Sequence, residues 1–438
     1  MLIFSFILLL GLIAGVLIGL LPGLPAYLSP ILLYPFINIL TIDQILAFWL
    51  AAHIGSQYYG SVAAILLKIP GEASSMIYLK DLDKLTVTER LSLIRQTAWG
   101  STMGSLAALA ALMVVYYLGL STELIQLTNN NIKLGVLLTL IFTLCYFSDN
   151  WKVSALMFFI GVALVEKTNY ELPMWIFSAQ KYTSDITVFS LILGLLMIPE
   201  FIKEVVYSRK SDKLDVSDAT MVKTPLNFQA MWRGTWIGSL IGLVPGPSHI
   251  LSSIMSYNSY KNHETINKVI SAEAANNSAT ITSLLPFLYV GLPITLSEIL
   301  LNNMFQIKLF SVPGDLNVPW VLFHGINLIE FCFVIILFST IVYHFLSQRL
   351  LEFYEKLMKL AYSKLAFIYI ALIIYLIYVD VIFSPISVIP YVISLLTITI
   401  IGCILIIKRI DVLPLLFGYI LGDMICWALY HFYQIHFY

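Results

Sequence analysis

"GLIAGVLIGLLPG", residues 11–23, and "GTWIGSLIGLVPG", residues 234–246, decide how this chain is read. Gly11, Gly15, Leu17, Ile18, Gly19, Leu20, Pro22 and Gly23 recur 223 positions later as Gly234, Gly238, Leu240, Ile241, Gly242, Leu243, Pro245 and Gly246. A glycine at every fourth position lines one helix face, and such faces let backbones approach closely in lipid. The Pro-Gly endings remove a backbone donor and stop the helix. The same offset carries His53 to Asn276 and Pro70 to Pro293. Two homologous halves follow, 1–226 and 227–438, joined by the charged stretch "SRKSDKLDVSDATMVK". Each half opens with hairpin arms, over about 11–71 and 234–294, and continues with scaffold helices.

Composition fixes the solvent. Of 438 residues, 59% are hydrophobic and 11% charged, whereas a soluble domain is nearer a quarter charged. So few charges cannot cover a water-soluble surface. Runs such as "LAALAALMVVYYLGL" and "FIYIALIIYLIYVDVIF" have the composition of membrane spans. The fold class is an all-α polytopic membrane protein, with about 10–14 membrane segments at roughly twenty residues per span. "MLIFSFILLLGLIAG" lacks a positive leader region and a cleavage site, so it is expected to remain as a first helix. Cys145, Cys332, Cys403 and Cys426 are scattered through apolar segments without metal spacing. A net charge of −1 points to no nucleic-acid partner.

Lys and Arg near span ends mark the cytoplasmic side. They gather at Lys80, Lys84, Arg90 and Arg95, at 203–233, at Arg349, Lys356, Lys359 and Lys364, and at Lys408 and Arg409. Residues 1–67 and the tail after Arg409 contain none. Both termini are then expected outside the cell membrane. The helix ending at Gly23 runs inward and the one ending at Gly246 runs outward. That is an inverted repeat, a plan used by secondary transporters.

The special segments follow the same plan. "LLPGLPAYLSPILLYPF" holds Pro22, Pro25, Pro30 and Pro35, and "LVPGPSHILSSIMSY" follows Pro245 and Gly246 with Ser248, His249, Ser252, Ser253 and Ser256. Irregular backbone at membrane depth survives only where protein or water solvates it. A helix broken in mid-membrane with a short returning helix is expected; a surface turn between ordinary spans is the plainer alternative. The second arms read "HIGSQYYGSVAAILLKIPGEASS" and "EAANNSATITSLLPFLYVGLPITLSE". In the latter, Glu273, Asn276, Asn277 and Thr280 share a helix face. Such groups either bond neighbouring helices or line a pathway. Broken helices bind anions at their free N–H groups, and their carbonyl and amide oxygens can coordinate a small cation.

At "YYGSVAAILLKIPGEAS", "GSLIGLVPGP" and "AEAANNSATITSLLPFLYVGLP" the chain resembles the large membrane subunit of tripartite tricarboxylate transporters. The resemblance implies a permease for small carboxylates, working with a small membrane subunit and an extracytoplasmic binding protein, driven by a cation gradient. It implies a substrate site over Pro22, Gly23, Ser56, Tyr59, Gly60, Ser61, Pro70, Gly71, Pro245, Gly246, Ser248, Asn276, Asn277, Gly291 and Pro293, with Lys68, Thr280 and Thr295 added from their settings. Pro25, Lys68 and "GLPIT" depart from the family's usual residues, as does "HETINKVI" before the Glu-Ala-Ala-Asn-Asn run. Lys68 is expected either to meet a substrate carboxylate or stand in for a cation, or to extend to the interface.

The reading is a secondary active transporter for di- or tricarboxylates, alternating access by an elevator-type motion. Sodium or protons would be the coupling ion, held near Glu273, Asn276 and Asn277, with no other cofactor. A homodimer would suit a fixed scaffold. A channel could use the same re-entrant hairpins. An enzyme is not expected, because no GxSxG elbow or paired histidine motif is present.

Overall fold

The computed structural model describes residues 2–20, 26–33, 36, 39–68, 72–118, 130–146, 150–164, 186–199, 201–202, 225–260, 264–290, 293–305, 328–349, 362–383, 388–408, 410–422 and 425. Among these residues the chain is all-α, with no strand. In chain order the helices are α1 (Leu2–Leu20), α2 (Leu28–Leu33), α3 (Ile42–Leu67) and α4 (Val87–Tyr117). There follow α5 (Asn130–Tyr146), α6 (Trp151–Ala163), α7 (Val188–Ile192), α8 (Phe228–Ile241), α9 (Ser248–Ser259) and α10 (Thr265–Thr282). The remainder are α11 (Leu284–Val290), α12 (Leu296–Phe305), α13 (Leu328–Arg349), α14 (Tyr362–Phe383), α15 (Val388–Ile407) and α16 (Leu413–Ile420). By length and composition, four described helices can cross a membrane: Leu2–Leu20, Val87–Tyr117, Ile329–Arg349 and Val388–Ile407.

The chain forms two compact units, and each draws on both sequence halves. The first takes 1–129 and 212–361; the second takes 130–211 and 362–438. All the hairpin arms read from the sequence fall in the first unit.

The glycine ladders build the seams of that unit. A Cβ at Gly11 would stand 2.7 Å from the carbonyl oxygen of Phe48, one at Gly15 2.9 Å from that of Ala52, and one at Gly19 2.9 Å from that of Ser56. In the second half, Gly234, Gly238 and Gly242 lie against the carbonyl oxygens of Ser271, Ala275 and Ala279. Those three carbonyls follow Phe48, Ala52 and Ser56 by 223 positions each. The offset read from sequence therefore recurs as the same contact in space, α1 on α3 and α8 on α10. Both pairs approach to backbone contact because glycine carries no side chain. In the first pair the gap at Gly15 and Gly55 also admits Tyr343 of α13, whose hydroxyl donates to the Ala51 carbonyl at 2.6 Å and the Leu12 carbonyl at 3.2 Å.

In the second half α8 ends at Ile241, ahead of Pro245, and α9 starts at Ser248. Helix α8 has 14 residues, about 21 Å at 1.5 Å per residue, against a hydrocarbon core of about 30 Å. The chain then turns through Gly246, whose φ of 115° is open to a residue without a Cβ. The Gly246 N–H donates to the Ile294 carbonyl at 2.9 Å, tying this turn to the break between α11 and α12. "TLSE" then caps α12 as a capping box. The Glu298 carboxylate accepts from the Ile294 and Thr295 N–H groups at 2.8 and 3.1 Å, and the Glu298 N–H donates to the Thr295 hydroxyl at 3.4 Å.

The second unit is held by its own glycines. Gly161 of α6 lies against the Leu415 carbonyl of α16, and Gly418 against that of Phe158. A π-helical turn over Leu193–Met197 continues α7 and packs on α15, with Gly402 against the Gly194 carbonyl. Buried Asp380 of α14 accepts a 2.8 Å hydrogen bond from the Thr187 hydroxyl.

Candidate functional site

Helix α10 is the polar centre of the first unit, buried from Val269 to Thr282. Helices α4, α8 and α9 pack around it. Helix α9 docks through hydroxyls: Ser252 and Ser253 donate to the Ala275 and Ala272 carbonyls at 3.2 and 3.1 Å, and Ser256 pairs with Ser271 at 2.7 Å. On α4, the Ser101 hydroxyl accepts from the Asn277 amide at 2.9 Å, and that amide also reaches the Glu273 carbonyl at 3.1 Å.

Glu273 faces a second carboxylate, from the other half of the sequence. Helix α3 ends at Lys68, the one described non-glycine residue with positive φ, at 56°. Its N–H returns to the Ala64 carbonyl at 3.0 Å. Glu72 then opens a 3-10 turn over Ala73–Ile77, fixed by the Ser75 hydroxyl donating to the Glu72 carbonyl at 2.7 Å. The Glu72 side chain turns inward over Gly60, where an added Cβ would stand 3.0 Å from the Glu72 Cγ. Glu72 and Glu273 are close enough to feel each other's charge, and the Asn276 side chain lies beside both carboxylates. The Tyr78 hydroxyl donates to Glu273 Oε1 at 2.7 Å, and the Ser74 hydroxyl to Glu72 Oε2 at 3.4 Å. Three buried oxygens are left without a hydrogen-bond partner: Glu72 Oε1, Glu273 Oε2 and Asn276 Oδ1.

A second polar group lies on α3 and at the start of α9. His53 Nδ1, Gln57 Oε1 and Ser248 Oγ are buried without partners, and His249 is near enough to His53 to act on it electrostatically. Ser248 stands at the first turn of α9, where the Gly246 carbonyl accepts from the Ser248 N–H and the Pro247 carbonyl from the Ile250 and Leu251 N–H groups. A buried hydroxyl with imidazoles beside it can donate hydrogen bonds to a carboxylate.

The loop from Leu79 to Thr86 carries the charged groups. The Lys68 ammonium pairs with Asp83, and Lys84 pairs with Asp81, which also accepts from the Tyr257 hydroxyl. Lys84 and the Tyr257 hydroxyl hold the Asp81 carboxyl below its usual range, and the Lys68 ammonium does the same for Asp83.

A family model for the tripartite tricarboxylate transporter TctA family matches residues 6–417. The chain belongs to that family. It is a family of membrane transporters and not of enzymes. The chain is also similar to two proteins of Agrobacterium vitis. An "uncharacterized 52.8 kDa protein in TAR-I ttuC' 3'region" is 26% identical over 349 residues, covering 72% of this chain and 66% of that protein. An "uncharacterized protein in TAR-II ttuC' 3'region" is 42% identical over 65 residues, 13% of this chain and 27% of that one. The chain thus spans less than two thirds of either relative. No solved structure matches.

Within this TctA-family chain, the residues expected at the site divide. Gly60 and Asn276 come together with the Glu72 and Glu273 carboxylates. Ser56, Ser61 and Thr280 donate to the carbonyls of His53, Tyr58 and Asn276 on their own helices. Tyr59 donates to the Tyr343 carbonyl at 3.0 Å. Asn277 is directed to α4, and Thr295 caps α12. Pro245 and Gly246 form the turn before Ser248, and Pro293 precedes the α12 cap. The Lys68 ammonium meets Asp83, whose side chain is 65% exposed. Pro22, Gly23, Pro70, Gly71 and Gly291 lie outside the described residues, as does the charged stretch joining the halves. Sequence reading passed over Glu72 as a site residue, and it passed over Tyr78 altogether. The signal for Glu72 was present: a carboxylate directly after an apolar run and a Pro-Gly stop.

Proposed function

We propose that the chain is the large membrane subunit of a carboxylate transporter: a permease moving di- or tricarboxylates across the cell membrane, coupled to a cation gradient. The observation that carries this reading is the buried junction of the two halves. Glu72 follows the first broken arm, Glu273 and Asn276 lie on the second, and their free oxygens have no structural use. Unpartnered polar atoms are costly in a buried setting, and in a membrane they mark pathways. The group of His53, Gln57, Ser248 and His249 offers side-chain donors for the anionic substrate.

The matching glycine contacts support two repeats, and the charge pattern supports their inversion, with both termini outside. The gathering of all hairpin arms into one unit supports an elevator, in which that unit moves and the other is fixed. Family membership supports a small membrane subunit and an extracytoplasmic binding protein as partners; a homodimer would hold the scaffold still.

The test is uptake of labelled di- and tricarboxylates into proteoliposomes, with and without a sodium gradient and a cognate binding protein. Saturable, gradient-driven uptake that Asn276→Ala abolishes is the expected result. Flux at the level of empty vesicles in every condition would remove the reading. Non-saturable flux that follows the carboxylate gradient alone would favour a channel.

A further inference from the structure

We infer that Glu72, Glu273 and Asn276 form a site for one alkali cation, with sodium the probe, at the junction of the two halves. The inference deepens the transporter reading by naming where its coupling ion sits. Two carboxylates face each other here, Glu72 at 8% exposure and Glu273 at 1%. Neither has an ion-pair partner among the described residues, whose salt bridges are Lys68–Asp83 and Lys84–Asp81. Facing charges of one sign in a desolvated setting need a compensating positive charge, a proton or a cation.

Asn276 points to the kind of charge. It is not an acid, it is 1% exposed, it lies beside both carboxylates, and its amide oxygen has no donor. Tyr78 and Ser74 already supply one hydroxyl to each carboxylate, through Glu273 Oε1 and Glu72 Oε2. The free set is therefore three oxygens: one from each carboxylate and one amide. A proton serves one donor-acceptor pair, whereas a hard cation takes several oxygens at once. No three His, Cys, Asp or Glu side chains gather among the described residues, which disfavours a tight divalent or transition-metal centre. Gly60 matters because a side chain there would press on the Glu72 Cγ.

The site would also act as a latch. Its ligands come from the segment after α3 and from α10, and Tyr78 lies on that same segment. A bound cation would hold residues 72–78 against α10, and its loss would release them.

The experiment uses the purified full chain in detergent, without carboxylate. Thermal unfolding is followed in sodium, potassium and choline chlorides at equal ionic strength and fixed pH, with hydrogen exchange over 72–78 alongside. The site predicts saturable stabilisation by sodium beyond choline, and slower exchange of that segment in sodium alone. Glu72→Gln and Glu273→Gln should each raise the half-saturating sodium concentration by at least the about tenfold that even an outer partner's loss costs a metal site. Equal effects of sodium and choline would overturn the inference. So would stabilisation that follows pH and ignores sodium. Hydrogen exchange of the unmodified protein keeps the test decisive if a variant fails to fold. Sodium-specific stabilisation without carboxylate uptake would keep the site and remove the transport reading. Sodium-driven uptake with unchanged sodium dependence in both glutamine variants would do the reverse.

Discussion

Gly238→Ala is the sharpest test of how the halves are packed. An added Cβ would stand 2.8 Å from the Ala275 Cα and 2.9 Å from its carbonyl carbon. Carbon atoms settle at about 3.5–4.0 Å, so α8 and α10 must part locally by roughly 1 Å, which forfeits about a quarter to a half of each neighbouring attraction. Overpacking of this kind costs about 1–3 kcal/mol. The obstacle is backbone, so no rotamer change relieves it, and the upper part of that range applies. Alanine's better helix propensity returns about 1 kcal/mol. The expected net loss is about 2 kcal/mol. Gly15→Ala, the counterpart 223 positions earlier, should lose stability as well. Gly135→Ala is the control, because nothing lies within 4 Å of its added Cβ; it should gain about 1 kcal/mol. Thermal unfolding of the three variants in one detergent reads the contrast. If Gly238→Ala melts at or above the temperature of Gly135→Ala, the ladder is not a contact surface and the reasoning fails.

Other outcomes follow from single hydrogen-bond sets. Glu298→Ala leaves two donors, the Ile294 and Thr295 N–H groups, without their buried acceptor, while the Ser283 hydroxyl keeps the Thr280 carbonyl. At about 1–3 kcal/mol per orphaned group, it should lower the melting point severely, with Glu298→Gln milder; parity of Glu298→Ala with the parent would contradict the cap. Asn277→Ala removes the bonds to Ser101 and the Glu273 carbonyl and should cost about 1–2 kcal/mol, read by the same melt; a gain in stability would count against that role. The loop of Asp81 and Asp83 gives a pH dependence. Both carboxyls titrate below their usual range in the folded chain, so their contribution is full above the unfolded value and is lost as pH falls through the folded one. Protection of residues 79–86 from hydrogen exchange should therefore drop below about pH 4; protection that rises on acidification would refute the pairing.

The bland and the functional uses of polar residues in this chain differ by a few atoms. Ser252, Ser253 and Ser256 look like pathway lining in sequence, yet each hydroxyl bonds α10 or its own helix, which is the ordinary way two helices adhere in lipid. Asn276 and Asn277 are adjacent and chemically identical. One is held to α4, and the other keeps a free oxygen beside two carboxylates.

The sequence by itself determined the class, and it carries the glycine spacing and the Pro-Gly stops from which a repeat is read. These rest on composition and on local backbone chemistry: too few charges for water, glycines at every fourth position, and Pro-Gly where a helix must stop. The tertiary structure decided which carbonyls the glycines meet, and those of the two ladders stand 223 positions apart, as the glycines do. The tertiary structure alone decided the junction of Glu72 with Glu273 and Asn276, and the role of Tyr78. Those residues are some two hundred positions apart, and they do not correspond under the repeat: Glu72 aligns with Thr295, which caps a helix. No periodicity links them. Their meeting depends on how the segment after α3 folds back over Gly60, a long-range contact that no local pattern encodes.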